Sequence, residues 1–344
     1  DVSWGFYISQ FTFLVGVAAS GVMIVLPFYL HDYKAFGKIT ILGEFLAIPA
    51  IIMCMLFIFV DLGQPLRVLN VLLHPTPNSV MFYDMIVLAG YLVLNVLVGW
   101  ACLHAEKKGI APAKWVKPVA ILSIVWAPFI HTVTAFLYAG LPGKHFWLSA
   151  ILAARFLASA FASGPSLLLL LALIVRKGSK FDPGTEAIQT IGKIITYCMI
   201  INVFFLGLEL FTAFYSQIPG HMHSWIYLYA GIDGKGVLVP LMWTSTVLAV
   251  IALTMLAFPQ IRRNETLLAF ACICVFFSLW IDKGFGLVVG GFVPNSFDKI
   301  TEYWPTLPEF SIGLGVWAIG FLILTVLYKV AVSVKEQSGG EAIH

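Results

Sequence analysis

Long apolar stretches recur along the chain, and short polar connections separate them. A helix needs about 20 apolar residues to cross the hydrocarbon core of a bilayer, and these stretches have about that length or more. The pattern predicts nine membrane-spanning helices, over residues 7–30, 39–60, 82–103, 117–138, 146–175, 192–215, 237–258, 266–283 and 311–334. The fifth stretch contains Gly164-Pro165, so we expect that helix to kink there.

The composition supports an all-α integral membrane fold. Of the 344 residues, 60% are hydrophobic and only 11% are charged, whereas soluble domains have about 25% charged residues. A membrane β-barrel would show short alternating segments instead of long apolar ones. The net charge of +3 is too small and too dispersed to indicate a nucleic-acid partner.

The basic residues of the connections predict the orientation. If the connection over residues 31–38 is cytoplasmic, fourteen Lys and Arg residues lie on that side. Five lie on the other side: Arg67, Lys144, Lys235, Lys283 and Lys299. The positive-inside rule then places the C-terminus in the cytoplasm and residue 1 outside the cytoplasmic membrane. A chain that begins outside and with Asp1 rather than Met has either lost a signal or lacks an upstream segment. We expect an upstream helix to be missing, which would make ten.

Cysteine spacing gives no sign of a redox centre on this chain. The five cysteines lie inside or at the edges of apolar stretches, and no CxxC, CxxCH or ferredoxin spacing occurs. We therefore expect neither an iron–sulfur cluster nor a covalent haem, and no metal site.

Ionisable side chains within the predicted spans are few and unevenly placed. Charge in hydrocarbon is costly, so it usually faces a partner, water or a ligand. Only Glu44 falls in the inner half, and the rest fall towards the outer side, which predicts a polar pocket that opens there. That outer group comprises Asp61, Asp84, His131, Arg155, Glu209 and Asp282. Two alternatives stay open: Arg155 forms a structural ion pair with Glu209 or Asp61, and the aspartates at span ends reach interfacial water.

His131 is the main candidate for chemistry. With Thr134 and Tyr138 it shares one helix face, as Arg155, Ser159 and Ser163 share a face of the next helix. A haem between helices usually needs two histidines at depth, and the other seven histidines lie at connections or chain ends. An imidazole suits proton exchange with a quinol hydroxyl. A histidine that only packs in the core remains the alternative.

Two outer connections, over residues 216–236 and 284–310, are aromatic and poor in charge. One interpretation is a belt of Trp and Tyr at the membrane interface. The other is a docking surface for a peripheral subunit. The aromatic residues concerned are Trp225, Tyr227, Tyr229, Phe292, Tyr303 and Trp304.

Several segments resemble a known family. Residues 61–83, DLGQPLRVLNVLLHPTPNSVMFY, resemble the signature of the NrfD/polysulfide-reductase (PsrC-like) membrane-subunit family. Residues 131–164 are similar to the fourth and fifth helices of that family, and residues 4–22 to its first helix. Together with HDYKAFGKITILGEF, the match is closest to the DsrP type, from the DsrMKJOP complex of sulfate-metabolising microbes. Gln64 stands where the family often has Arg, and His131 where it has Tyr.

The resemblance implies a quinone-reactive subunit that carries no redox cofactor and is catalytic only with its partners. Its core would be two four-helix bundles, at residues 1–138 with the quinone site and at 139–290, followed by an extra helix and tail at 291–344. Menaquinol would bind near the outer face and exchange electrons with a ferredoxin-like iron–sulfur subunit on the periplasmic side. The other partners would be further membrane and cytochrome subunits of the same complex, and lipid.

The resemblance and the ionisable residues together suggest a role for each site residue. His131 would take a quinol proton, and Asp61 or Asp84 would orient His131 or relay the proton outward. Thr134 and Tyr138 would line the pocket. Arg155 with Glu209 would fix the local charge.

A secondary transporter or proton channel is the rival class. Such proteins are built from inverted repeats and from interrupted helices that meet near the midplane. The sequence shows only Gly164-Pro165 as an interruption, and the charged residues lie off-centre.

The charge distribution yields a direct test of orientation. With a Gln337→Cys substitution in intact vesicles, we expect a membrane-impermeant maleimide to label position 337 only after the cytoplasmic face is opened. Labelling of position 337 from the outside of sealed vesicles would show that the C-terminus faces outward and contradict the predicted topology.

Overall fold

The computed structural model describes residues 2–295, 297 and 299–337, so the two chain ends to which the orientation refers lie partly outside the described residues. Within this part of the chain the fold is helical, and the only strand-like pairing there is an isolated bridge between Ile232 and Lys235. The α-helices are α1 Phe6–Ala19, α2 Val22–His31, α3 Thr40–Asp61, α4 Asn70–Leu73, α5 Val80–Lys108, α6 Val116–Ala139, α7 Leu152–Gly178, α8 Thr185–Tyr215, α9 Pro219–Tyr229, α10 Val239–Ala257, α11 Pro259–Arg263, α12 Glu265–Trp280 and α13 Leu307–Gln337.

The expectation of nine membrane-spanning helices is confirmed for the described residues, so the protein is a multi-pass integral membrane protein. Some boundaries differ from the predicted ones. The fifth span begins at Leu152 rather than at residue 146, and the sixth begins at Thr185 rather than at 192. The eighth runs on to Phe292 instead of ending at 283, because a π-helical segment, Ile281–Val289, continues α12.

The spans form two closed rings of four. In the first ring α1 packs on α3, α3 on α5, α5 on α6 and α6 back on α1; in the second, α7, α8, α10 and α12 close in the same way. The ninth span, α13, packs on α3 and α5 of the first ring. One continuous hydrophobic core runs through both rings, so the domain boundaries at 138 and 290 stay a prediction.

α1 is the central element of the fold. All fourteen of its residues are buried, and it contacts α3 and α6 of its own ring as well as α7 and the π segment. The helices at the periphery of the bundle differ from α1. Large apolar side chains remain exposed along them and would face lipid tails. Examples are Trp243 and Val250 on α10, and Leu322 and Val326 on α13.

Among the described residues a membrane helix is interrupted in the first span, and the kink expected at Gly164-Pro165 stays a prediction. α7 is a continuous helix through Gly164 and Pro165, whereas the first span breaks between α1 and α2 at Ser20 and Gly21. The Ser20 hydroxyl donates to the carbonyl of Val17 at 2.6 Å, and the backbone N–H of Ser20 donates to the same carbonyl at 3.3 Å. The break faces Gly164, whose missing side chain makes room for Ser20.

This close approach makes Gly164 intolerant of a methyl group. An ideal Cβ at Gly164 would lie 2.1 Å from the Cβ of Ser20, whereas a Cβ at Gly207, on the exposed face of α8, would meet nothing within 4 Å. We therefore expect Gly164→Ala to destabilise the protein by about 1–3 kcal/mol. Gly207→Ala should be neutral or stabilising, because alanine favours helix. Thermal unfolding in detergent compares the two variants, and equal midpoints would show that the α1–α7 contact is loose.

Candidate functional site

A buried cluster of three charged side chains lies in the half of the core that the predicted topology assigns to the outer side. Arg155 of α7 is 5% exposed, and its Nη2 donates to both carboxylate oxygens of Asp282 at 2.8 Å. Its Nη1 donates to Glu209 of α8. The guanidinium also lies 5.7 Å from the ring centroid of Trp225. One cation therefore serves two buried carboxylates, and the Arg155–Glu209 ion pair that the sequence left open as an alternative is present.

A second cluster surrounds His131, which is completely buried. Its Nε2 lies 2.7 Å from the carbonyl oxygen of Phe156 and 2.6 Å from Nζ of Lys283. Lys283 is 3% exposed and lies above the Phe156 ring, 4.6 Å from its centroid. Nδ1 of His131 has no hydrogen-bond partner among the described residues.

The contacts at Nε2 define two proton arrangements. A ring nitrogen carries either a proton or a lone pair. If Nε2 is protonated, it donates to the Phe156 carbonyl and the Lys283 amine faces it with a lone pair. If Nε2 is bare, Lys283 donates to it, and the proton of the neutral ring is then on Nδ1. The state of Lys283 is thus coupled to whether Nδ1 can donate or accept a hydrogen bond.

Lys283 is the residue for which the sequence prediction is wrong. The predicted topology places it in an outer connection, but it lies in the core beside His131. The π segment explains the position: Asp282 turns to Arg155 while the next residue, Lys283, turns to His131, and π-helical turns are often found at functional sites. Gly16 of α1 leaves room for the ammonium, since a Cβ there would lie 3.0 Å from Nζ. The apolar residues that continue after position 283 were the sequence feature that could have indicated a buried Lys283.

The remaining predicted site residues divide into two groups. Thr134 and Tyr138 are fully buried on the same face of α6 as His131. Thr134 donates to Asp84 of α5 at 2.6 Å, and the hydroxyl groups of Tyr138 and Thr12 are hydrogen-bonded. Asp61, at the end of α3, is only half-buried, and no hydrogen bond joins it to these side chains within the described part of the chain.

Gln10 of α1 is a further buried polar group that the sequence reasoning missed. Its Oε1 accepts hydrogen bonds from the indole nitrogens of Trp280 at 2.8 Å and Trp317 at 3.1 Å. These two donors fix the orientation of the amide, because an indole can only donate. Its Nε2 has no partner among the described residues, so it can donate to a ligand oxygen.

Aromatic side chains pack around Tyr138 and the π segment. Trp147 donates to the carbonyl of Leu287 in the π segment at 2.8 Å, and its ring packs edge-on against Tyr138 and Phe292. Trp4 stacks on Trp147. Lys144 lies over the Phe292 ring, and its partial burial lowers the pKa of its ammonium group.

This arrangement corrects the expected docking surface. Trp225, Tyr227 and Phe292 are buried in the fold, so they are not available to a partner. Trp304 is 55% exposed, whereas Tyr229 and Tyr303 are half-buried. The connection over residues 216–236 packs inward because it contains helix α9, whose Trp225 covers the Arg155 cluster.

Comparison with known proteins gives one family and several relatives. The family described as "Polysulphide reductase, NrfD" matches residues 1–293. A putative membrane subunit of dimethyl sulfoxide reductase from Halobacterium salinarum is 26% identical, over 94% of this chain and 81% of its own length. A selenate reductase subunit from Mesobacillus selenatarsenatis is 22% identical, over 99% and 88%. An Hdr-like menaquinol oxidoreductase integral membrane subunit from Archaeoglobus fulgidus is 21% identical, again over 99% and 88%.

The geometry of the charged cluster leads to a stability prediction. Arg155→Met would leave Glu209 and Asp282 buried without a cation, which typically costs about 3–5 kcal/mol. We expect a large drop in the unfolding temperature in detergent, and partial recovery when Glu209→Gln and Asp282→Asn are added. Arg263→Met, at an exposed arginine, is the control and should have no effect. An Arg155→Met variant as stable as the parent would mean that the cluster is not buried in the folded protein.

Proposed function

Because the chain belongs to the NrfD polysulphide reductase family, we propose that it is the quinone-reactive membrane subunit of a respiratory oxidoreductase complex. The observation that carries this proposal is His131, a buried imidazole with Nδ1 unpartnered among the described residues and Lys283 at Nε2. Unpartnered buried polar atoms are costly, so they point to a ligand that completes them.

The surroundings of His131 fit a quinone ring. The neighbours are aromatic: Phe156 packs beside the imidazole, and Tyr138 packs against Phe156. The Nδ1 of His131 and the Nε2 of Gln10 are buried polar atoms of the kind that quinone oxygens would satisfy. The long apolar tail of the quinone would extend into the bilayer that surrounds the helices.

We assign proton handling to this chain and electron transfer to a partner. Oxidation of a quinol releases two electrons and two protons. His131 would accept one of these protons at Nδ1 when Nε2 is protonated, which is the arrangement in which the Lys283 amine faces Nε2 with its lone pair. Asp84, which accepts a hydrogen bond from Thr134, would continue the proton path outward. Arg155 with Glu209 and Asp282 would hold the local charge constant.

The electron acceptor or donor would be a ferredoxin-like iron–sulfur subunit at the outer face. The names of the relatives describe membrane subunits of a dimethyl sulfoxide reductase and of a menaquinol oxidoreductase, and a subunit of selenate reductase, which supports a multi-subunit complex. Menaquinone as the quinone, a DsrP-type role in dissimilatory sulfur metabolism and additional cytochrome subunits are the finer parts of this proposal. The resemblance of residues 61–83 and 131–164 supports them.

A secondary transporter or proton channel is the second candidate, and the helix break at Ser20 and Gly21 is the observation that favours it, because discontinuous helices are common in transporters. Flux measurements on proteoliposomes that contain this chain alone distinguish the transporter from the quinone-reactive subunit. Proton or solute flux without quinol and partner subunits would favour transport.

His131→Leu tests the quinone assignment. We expect quinol-dependent electron transfer by the assembled complex to fall by about 100-fold or more, in line with the loss of a general acid–base group. Assembly should be retained, since leucine fills the buried site, although the unfolding temperature should fall because Lys283 and the Phe156 carbonyl lose their contact with Nε2. His104→Leu, at an exposed histidine of α5, is the matched control and should leave turnover unchanged. Normal turnover in His131→Leu would remove His131 from the mechanism.

Exposed apolar residues at the predicted outer face test the docking proposal. Leu66 is 99% exposed in the connection after α3, and Trp304 precedes α13. We expect Leu66→Ser combined with Trp304→Ala to release the iron–sulfur subunit in detergent, because exposed apolar anchors often dominate an interface. Trp100→Ala, at a 71% exposed tryptophan within α5, is the control. Copurification of the iron–sulfur subunit with the double variant would contradict docking at these residues.

A further inference from the structure

A cavity of about 850 Å³ opens at the end of the helix bundle opposite to His131. The connections before α3 and before α6 form its mouth. Its deeper wall comes from α3, α5 and α13, with Glu44, Glu106 and Lys335 among the lining residues. By the predicted topology this end faces the cytoplasm.

Glu44 lies in the wall of this cavity and lacks a full set of hydrogen bonds. The residue is only 3% exposed, and its Oε1 has no hydrogen-bond partner among the described residues. Glu106 forms an ion pair with Lys335 close by, so that carboxylate already has a cation. A buried carboxylate oxygen without a donor is costly. It indicates a ligand that brings a cation or an N–H donor to Glu44.

The mouth of the cavity has the opposite charge character. Lys34, Lys114 and Lys117 line it and are exposed, and none of them forms an ion pair within the described part of the chain. Three ammonium groups at one rim attract an anion. Beside them Leu30 and Ile110, which are 50% and 52% exposed, give the rim an apolar edge.

The depth of the cavity matches the lipid headgroup region. Glu44 lies four residues after the start of α3, which is about 6 Å along a helix that rises about 1.5 Å per residue. The headgroup layer on each side of a bilayer is of about the same thickness. A ligand that reaches Glu44 from the mouth therefore stays at the level of the headgroups.

We propose that this cavity binds the headgroup of a phospholipid with a primary amine. The ammonium would donate to Oε1 of Glu44, the phosphate would lie among Lys34, Lys114 and Lys117, and the acyl chains would leave past Leu30 and Ile110. The shared chemistry is a phosphate joined by a short linker to a primary ammonium. Free phosphoethanolamine carries the same groups, so the experiment has to separate the lipid from the small molecule.

The test measures lipid binding to the purified full chain by native mass spectrometry. The probes are phosphatidylethanolamine, its mono- and dimethyl derivatives and phosphatidylcholine, which keep the phosphate but lose N–H donors one at a time. We expect affinity to fall along this series, by at least fivefold overall. Free phosphoethanolamine should bind much more weakly than the lipid. Equal affinity for all four lipids would overturn the proposal, and tight binding of the free compound would assign the site to a soluble ligand instead.

Variants locate the binding site. Glu44→Gln should reduce the preference for the primary amine to less than twofold, while Glu302→Gln, at a carboxylate on the opposite face that accepts backbone hydrogen bonds, should keep it. A triple variant should bind all four lipids more weakly; it combines Lys34→Gln, Lys114→Gln and Lys117→Gln. If Glu44→Gln keeps the lipid preference but stops proton uptake from the cytoplasmic side, the cavity is a proton entrance and the proposal is wrong. The methylation series needs no variant, so it decides the question even if Glu44→Gln does not fold.

Discussion

The half of this structure that contains Arg155 depends on one constraint, which is that charge buried in a membrane protein must be paired. Arg155 satisfies it for two carboxylates at once, and these come from two different elements, α8 and the π segment. Because the guanidinium is planar and has five donors, it can bind Asp282 through both oxygens and still reach Glu209. The cluster therefore fixes how α7, α8 and the π segment meet.

The π segment connects this cluster to the candidate quinone site. Asp282 and Lys283 are neighbours in sequence, yet one contacts Arg155 in the second ring and the other contacts His131 of the first ring. A regular α-helix separates neighbouring side chains by about 100°, and the wider π turn brings both towards the core. The Asp282–Arg155 ion pair holds this turn on one side, and Lys283 lies next to the imidazole on the other side. One turn of backbone therefore joins the Arg155 cluster to His131.

The sequence predicted those features that depend on hydropathy and helical spacing. The nine spans, the shared face of His131, Thr134 and Tyr138, and the Arg155–Glu209 pair all follow from the period of the helix and from the cost of isolated charge. It could not predict Lys283 at His131, since a π turn changes the spacing that such reasoning assumes. Nor could it predict that Trp225 turns inward, because aromatic connections look alike whether they cover the fold or face a partner.

Photoaffinity labelling tests whether a quinone headgroup hydrogen-bonds to Nδ1 of His131. A menaquinone analogue with a photoreactive group on its ring would be activated with the chain in membranes, and the labelled peptides would be mapped by mass spectrometry. We expect labelling within 131–138 of α6 or beside Gln10 of α1, abolished by excess unlabelled menaquinone and weakened by His131→Leu. Labelling confined to the lipid-facing surfaces of α10 and α13, or to the cavity at Glu44, would contradict it.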